Sequence, residues 1–202
     1  MGGCAMVWAG NRFIAGMSVS PAAVQMYTSP DGIVWTPATT NAFGSQCNSL
    51  AWSINQPNSG TQLTNVAIQQ PTLAFGSGTN TIAYSYDGIS WRGLGTNIFT
   101  SSGYGACWNG NIWVAAGQSS GVGVLAYSYD GINWKVASQS ILSVIAYGVA
   151  WNGNVFVAVG GGGTYSIAYS YNGINWFAAE NTGTSLYIGT GYGVTWGQKY
   201  FL

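Results

Sequence analysis

The segment Ser128-Tyr129-Asp130-Gly131-Ile132-Asn133-Trp134 occurs four times in the chain with small changes. Asp followed by Gly between two apolar runs is typical of a β-hairpin tip, because Asp favours a type I turn and Gly takes the positive φ that follows it. In the first copy, Pro30 fixes the φ of about −65° that such a turn requires. We therefore predict four hairpin tips, built on Asp31, Asp87, Asp130 and Asn172 and closed by Trp35, Trp91, Trp134 and Trp176.

A second repeated stretch precedes each of these segments, and its clearest copy covers residues 147–160. It contains Trp151-Asn152-Gly153-Asn154, and Asn-Gly between alternating apolar residues predicts a two-residue type I′ turn. A similar copy covers residues 104–117, and divergent copies begin at Cys4 and Tyr192. Each repeating unit is therefore predicted to contain four short strands in two hairpins.

The tryptophans recur regularly, with Trp91 and Trp134 43 residues apart. From each turn tryptophan to the tryptophan that ends the next unit's first strand is 17 residues in three cases and 20 in the fourth. Units of this length, with four strands and one aromatic motif each, describe a β-propeller of four-stranded antiparallel blades. A solenoid of stacked hairpins is the alternative. We predict one all-β propeller domain over residues 1–202, with repeats at about 1–43, 44–100, 101–143, 144–188 and a partial repeat at 189–202.

Two features disturb this regularity. The second unit is longer, with a polar stretch from Ser53 to Gln70 that predicts a surface loop. The sequence also contains five copies of the unit's first hairpin but only four of its second. We favour a five-bladed ring with an incomplete last blade, whose open edge favours self-association through the C-terminal hairpin. There are two alternatives: another chain completes this blade, or the sequence is a fragment of a longer repeat array.

Charged residues make up only 4% of the chain, where about 25% is usual. Such low charge cannot neutralise a phosphate backbone, so nucleic acid and anionic membrane surfaces are not expected as partners. No apolar run approaches the roughly 18 residues of a membrane span. The N-terminus lacks the basic flank of a signal peptide and matches the repeat, so we expect it to be folded. The eight charged residues are Arg12, Arg92, Lys135, Lys199, Asp31, Asp87, Asp130 and Glu180.

The three cysteines, Cys4, Cys47 and Cys107, lack the spacing of a zinc site, and the sequence has no histidine. Each lies shortly before a repeat tryptophan, so we interpret them as small buried hydrophobic residues. We expect neither a bound metal nor a cofactor. The compartment stays open, with a virion or an extracellular cell surface favoured.

The Ser-x-Asp-Gly-x-x-Trp turns resemble the Asp-box, or bacterial neuraminidase repeat, of sialidases and other propellers. They differ from it by one residue fewer between Asp and Gly, and the fourth copy has Asn172 in place of Asp. The resemblance implies that Asp31, Asp87 and Asp130 cap turn amides and that the tryptophans pack between strands. It also implies that these turns lie on the face opposite the active site of the catalytic members, so their role here is expected to be structural.

The sequence lacks the residues that such catalysis requires. A sialidase-like site needs three arginines, and this chain has two in total. Other glycosidases use a pair of carboxylates, but only Glu180 remains once the turn aspartates are assigned to structure. Without histidine, the serines and cysteines have no ordinary base to activate them. We therefore expect no enzymatic activity, and treat a degenerate glycosidase as the least favoured alternative.

Binding is the remaining class of function. Four residues before each tryptophan of a first strand stand Asn48, Tyr104, Tyr147 and Tyr192, with Cys4 at the equivalent place in the first unit. We predict that they surround the mouth of a central channel, where tyrosine suits neutral polar ligands such as sugars. The alternatives are that they pack in the core, or that ligands bind in a pocket between neighbouring blades. The leading hypothesis is a lectin-like or adhesion module, and a self-associating structural protein is the second.

Overall fold

The computed structural model describes residues 5–17, 26–40, 42–53, 70–120, 123–138, 141–181, 184–185, 189–197 and 200–201. Within them the chain is all-β, with no helix and 47% strand. None of the described segments is therefore a helix that could cross a membrane. Cys4 and the body of the predicted insertion, residues 54–69, lie outside the described residues.

Four units of four strands follow one another along the chain. Unit 1 contains β1 (Ala5–Trp8), β2 (Phe13–Gly16), β3 (Met26–Ser29) and β4 (Thr36–Pro37). Unit 2 contains β5 (Gln46–Ala51), β6 (Thr72–Ser77), β7 (Ile82–Ser85) and β8 (Arg92–Gly93). Unit 3 contains β9 (Ser102–Trp108), β10 (Trp113–Gln118), β11 (Leu125–Ser128) and β12 (Lys135–Val136). Unit 4 contains β13 (Ile145–Trp151), β14 (Phe156–Gly161), β15 (Ile167–Ser170) and β16 (Phe177–Ala178).

Two short hairpins follow unit 4. The first pairs β17 (Glu180–Asn181) with β18 (Thr184–Ser185), and it accounts for part of the longer spacing before the last tryptophan. The second pairs β19 (Trp196–Gly197) with β20 (Tyr200–Phe201), as predicted for the partial repeat.

Within each unit the strands pair antiparallel in chain order, as the two-hairpin prediction requires. In unit 3, Trp108 pairs with Trp113 across the first hairpin, and Tyr127 pairs with Lys135 across the last. Single pairs continue the sheet between units, Ser77 with Ser102 and Gln118 with Ile145. Units 2 to 4 therefore share one 12-stranded sheet, and unit 1 forms a separate four-stranded sheet.

The Asn-Gly hairpins of units 3 and 4 turn one residue later than predicted. In unit 3, the backbone N–H of Asn109 donates to the carbonyl of Ile112 at 3.3 Å, so Gly110 and Asn111 are the two central residues. The side-chain oxygen of Asn109 accepts the backbone N–H of Asn111 at 3.0 Å and that of Ile112 at 2.8 Å. Asparagine thus stabilises the turn from its flank, and Gly110 takes the positive φ of 99°.

The core lies between units. Three clusters of buried side chains join unit 1 to unit 2, unit 2 to unit 3, and unit 3 to unit 4. Strand β10 shows how alternation produces this arrangement, because Trp113 and Ala115 pack towards unit 2 while Val114 and Ala116 pack towards unit 4. Sheets covered on both faces are what stacked blades require. The described residues form no closed ring, however, so the five-bladed propeller stays a prediction.

Candidate functional site

The Asp-Gly turns share one hydrogen-bond pattern. In unit 3, one carboxylate oxygen of Asp130 accepts the backbone N–H groups of Ile132 at 2.8 Å and Asn133 at 2.7 Å. The hydroxyl of Ser128 donates to the same oxygen at 2.9 Å. The indole N–H of Trp134 folds back to the preceding glycine carbonyl at 2.9 Å. The acid therefore caps turn amides, as the sequence resemblance implies.

The other three turns repeat this geometry around Asp31, Asp87 and Asn172. Desolvation opposes ionisation of Asp130, but hydrogen bonds from Asn133, Ile132 and Ser128 outweigh it and lower the pKa to about 2. Backbone hydrogen bonds from Ile33 and Val34 likewise lower the pKa of Asp31. Acids stabilised as anions by the backbone of their own turn are poor proton donors, so this geometry suits a structural role.

The tryptophans of these turns differ in burial. Trp91 and Trp176 are buried, whereas Trp35 and Trp134 are only half-buried. In unit 2 the backbone N–H of Trp91 donates to the hydroxyl of Thr40 in unit 1 at 2.7 Å. The neighbouring unit therefore contacts the turn that holds Trp91.

Three of the four predicted binding residues occupy β-bulges. The pairing register of the first strand skips one residue in each of units 2, 3 and 4, and the skipped residues are Asn48, Tyr104 and Tyr147. A bulge redirects a side chain away from the alternation of the strand. The opposite strand carries a glycine at each bulge, and at Gly76 a Cβ would lie 2.1 Å from the carbonyl oxygen of Gln46. The bulge thus recurs at the same position of units 2, 3 and 4.

The structure brings these positions together. The ring centroids of Tyr104 and Tyr147 are 5.0 Å apart, and those of Tyr147 and Tyr192 are 5.1 Å apart, with tilts of 49° and 42°. We call these three residues the tyrosine row. Asn48 extends it, because its side-chain amide donates to the carbonyl of Gly103 at 2.9 Å. The row is consecutive, and a ring around a channel mouth is not seen in the described residues.

The row is open to solvent at one end. Tyr192 is 74% exposed, whereas Tyr104 and Tyr147 are half-buried because neighbouring rings cover their faces. Partial burial, and the nearby hydroxyls of Tyr104 and Tyr192, raise the pKa of Tyr147. Its hydroxyl therefore remains a neutral donor and acceptor at physiological pH. The Tyr104 hydroxyl already has a partner in the Gln118 side chain at 3.2 Å.

A pocket of about 410 Å³ lies between units 1 and 2, the kind of place that the sequence suggested as an alternative. Trp52 and Tyr86 contribute aromatic walls, and Arg12 contributes a cation. Two buried polar atoms in its lining, Nε of Arg12 and Oγ of Ser53, have no hydrogen-bond partner among the described residues. The site therefore has donors available to a polar ligand.

Metal-ligating side chains and cysteine thiols are the remaining reactive groups of the described residues. No group of three His, Cys, Asp or Glu side chains within them could hold a metal ion. Cys47 is buried, and desolvation raises its pKa to about 12. Cys107 is half-buried, and desolvation also raises its pKa. Both thiols are therefore poor nucleophiles at neutral pH.

A second set of exposed tyrosines, not among the predicted binding residues, lies at the Asp-Gly turns. Tyr86, Tyr129 and Tyr171 are 51%, 56% and 64% exposed. Their signal is the repeated Tyr-Ser-Tyr that precedes Asp-Gly or Asn-Gly in units 2, 3 and 4. These tyrosines belong to the same motif as the turn's aspartate and tryptophan, whose repetition has a structural explanation.

Comparison with known proteins assigns neither a family nor a function. No protein-family model matches the chain, and a search of curated proteins finds no significant match.

Proposed function

We propose that this chain is a non-enzymatic, lectin-like or adhesion module that binds a neutral glycan or a similar uncharged polar ligand. We further propose that its units are blades of a β-propeller and that its turns belong to the Asp-box type. The repeated Ser–Asp–Trp hydrogen bonding and the cores between units support these two structural proposals.

One observation carries the functional proposal. Asn48, Tyr104 and Tyr147 are each the extra residue of a β-bulge, at the same position of three consecutive units. Irregularities of this kind weaken strand pairing, so their retention at one position favours a role for the side chains that they redirect. With Tyr192, they align amide and hydroxyl groups along one surface.

The chemistry of this surface suits sugars. Tyrosine combines an apolar ring with a polar hydroxyl, and a sugar combines apolar C–H faces with hydroxyls. Formal net charge is zero, so no long-range field would select a charged ligand. Because neighbouring rings cover one another, the accessible groups are ring edges, the hydroxyls and the outer face of Tyr192.

The test is a glycan array with three purified proteins. These are the wild type, a Tyr104→Phe/Tyr147→Phe/Tyr192→Phe variant that keeps the rings, and a single Tyr192→Ala variant that removes the exposed ring. We expect selective binding by the wild type and at least tenfold weaker binding by both variants, with urea unfolding as the control for folding. Absence of binding by the folded wild type would refute the proposal.

Self-association is a second candidate, and exposed apolar residues favour it. In unit 1, Ile33 is 82% and Val34 is 63% exposed. The equivalent turns of units 2 and 4 accept hydrogen bonds from the preceding unit, with Thr39 donating to Ile89 at 3.1 Å and Ser138 to Ile174 at 3.1 Å. A second copy of the chain could cover the unit 1 turn in the same way.

Light scattering across a range of protein concentrations tests this second candidate. We expect Ile33→Thr/Val34→Asn to reduce the average mass if this turn is the interface. Removal of residues 191–202 examines the proposed association through the C-terminal hairpin in the same assay. A wild type that remains monomeric at all concentrations would exclude both interfaces.

A further inference from the structure

Units 2, 3 and 4 each carry a pair of tyrosines at right angles. The first tyrosine of each pair lies on the third strand of the unit, and the second lies in the following turn. The pairs are Tyr84 with Tyr86, Tyr127 with Tyr129, and Tyr169 with Tyr171. We call them tyrosine corners, a label that refers only to these ring pairs and not to the Greek-key motif of the same name. The ring centroids are 5.9, 6.2 and 5.9 Å apart, with interplanar angles of 80°, 82° and 82°.

The turn itself does not require these tyrosines. In unit 1, Pro30 replaces the turn tyrosine and Thr28 replaces the strand tyrosine. The capping bonds form there nevertheless, since Asp31 accepts the backbone N–H groups of Ile33 at 2.8 Å and Val34 at 3.0 Å. Units 2 to 4 thus retain large, half-exposed aromatic residues at positions where folding accepts proline and threonine.

A third side chain stands opposite each strand tyrosine. The pairing register places Arg92 across from Tyr84, Lys135 across from Tyr127, and Phe177 across from Tyr169. The corners thus contain two of the four basic residues in the chain. In unit 4, the Phe177 and Tyr169 rings are 5.5 Å apart at 32°, which adds aromatic surface in place of the cation.

Two of the corners border a cleft large enough for one sugar residue. The cleft of unit 2, about 320 Å³, is lined by both tyrosines together with Asp87, Ser90 and Arg92. The cleft of unit 4, about 430 Å³, is lined by Tyr169, Phe177, Ala178 and Glu180. Each lining thus combines aromatic rings with ionised or hydroxyl groups, and this combination binds a pyranose through C–H contacts and hydrogen bonds.

We propose that each tyrosine corner binds one neutral pyranose residue, so that units 2, 3 and 4 form three separate saccharide sites. The sugar's C–H face packs on the tyrosine rings, and its hydroxyls bond to the polar side chains at the cleft, which are Asp87, Ser90 and Arg92 in unit 2 and Glu180 in unit 4. Aromatic surface is the component common to all three corners, which favours a neutral sugar over an anionic one. The inference rests on the proposed function for the class of ligand, a neutral sugar. It assigns binding of that sugar to residues outside the tyrosine row.

Three equivalent sites on one chain have a consequence for affinity. A glycan with several identical residues can occupy a second corner at the high effective concentration set by the first. Binding of a polymer is therefore expected to be much tighter than binding of its monosaccharide. A single ligand site would show no such dependence on ligand length beyond the size of the site.

The experiment uses the full chain with maltohexaose, cellohexaose and chitohexaose as probes. Saturation-transfer NMR identifies the bound sugar protons, and isothermal titration with the corresponding disaccharides gives the number of sites. The variants are Tyr129→Ser alone and the triple Tyr86→Ser/Tyr129→Ser/Tyr171→Ser. Because unit 1 folds its turn without tyrosine, both are expected to fold, and their urea unfolding midpoints verify this.

We expect one disaccharide site fewer in Tyr129→Ser than in the wild type, three fewer in the triple variant, and at least a tenfold loss of hexasaccharide affinity in the triple variant. The Tyr104→Phe/Tyr147→Phe/Tyr192→Phe protein distinguishes the two surfaces, because it should lose binding at the tyrosine row and keep the three corner sites. Wild-type affinity in the folded triple variant would overturn the inference alone. If no sugar probe or arrayed glycan binds the folded wild type, the proposed function and this inference both fail.

Discussion

Exchanging Asp and Asn between the Asp-Gly turns should exchange their response to pH. Asp130 in unit 3 and Asn172 in unit 4 occupy equivalent positions. Each accepts the backbone N–H groups of the residues two and three positions after it in its own turn. The distances are 2.8 and 2.7 Å for the carboxylate, and 2.9 and 2.9 Å for the amide. The chain therefore provides its own neutral reference for the charged cap.

The magnitude follows from the pKa of Asp130. Its change from 3.8 to about 2 would correspond to about 2.5 kcal/mol of differential stabilisation. Solvent screening at this mostly exposed turn reduces the effect to about 1 kcal/mol. Because the folded pKa is the lower one, this stability is fully present above about pH 4 and is lost as the pH falls towards 2.

Urea unfolding followed by tryptophan fluorescence measures the effect. At pH 7, we expect Asp130→Asn to cost about 1 kcal/mol, and Asp130→Ala to cost about 1–2 kcal/mol because it removes the acceptor as well. The difference between the wild type and Asp130→Asn should shrink between pH 4 and pH 2. The reverse change, Asn172→Asp, should add about 1 kcal/mol at pH 7 and lose it over the same interval. If the two exchanges have effects that do not vary with pH, the assigned role of the charge is wrong.

Three further predictions concern the core and the bulges. Gly76→Ala should lower the unfolding free energy by more than about 2 kcal/mol, because the added Cβ would lie 2.1 Å from the Gln46 carbonyl oxygen. Gly105→Ala is the control: its Cβ would lie 3.4 Å from the nearest atom, so the unfolding free energy should change by less than about 0.5 kcal/mol. In a variant with its other cysteines changed to serine, Cys47 should resist thiol reagents at pH 8 until urea unfolds the chain, since burial raises its pKa to about 12. Trp176→Phe should lower the unfolding free energy by about 1–3 kcal/mol, because the indole is fully buried and donates a hydrogen bond at 3.3 Å.

Local features of the fold could be predicted from the sequence. Hairpin tips depend on a few adjacent residues, so the Ser-x-Asp-Gly-x-x-Trp pattern located all four, with Gly131 at a positive φ of 74° as expected. The one-residue shift at Asn109 was missed because Asn-Gly fits either the centre or the flank of a turn, and only strand register decides. Ring closure depends on how successive units tilt, which local sequence does not determine.

The candidate site was partly predictable for the same reason. A fixed offset of four residues from each first-strand tryptophan selected Tyr104 and Tyr147, and the structure places their rings in contact. The bulges at these positions could not be foreseen, because a bulge is a relation between two strands and not a property of one. In the described residues, the structure therefore shows a row of tilted rings in contact where the sequence predicted a ring around a channel mouth.

Internal repeats can separate folding from function without any homologous sequence. The serine and glycine of the Asp-Gly turn are kept in every unit, and so is its tryptophan; each makes a hydrogen bond that the turn requires. The tyrosines of the corners are kept only in units 2, 3 and 4, while the turn around Asp31 forms without them. A residue that recurs in exposed positions, yet is dispensable for the local fold, is better explained by contact with a ligand than by stability. The turn tyrosines of the corners recur in exposed positions, and the turn of unit 1 folds without one. Tyr104 and Tyr147 also recur, but they are only half-exposed. The corners are therefore the more informative place to begin mutagenesis.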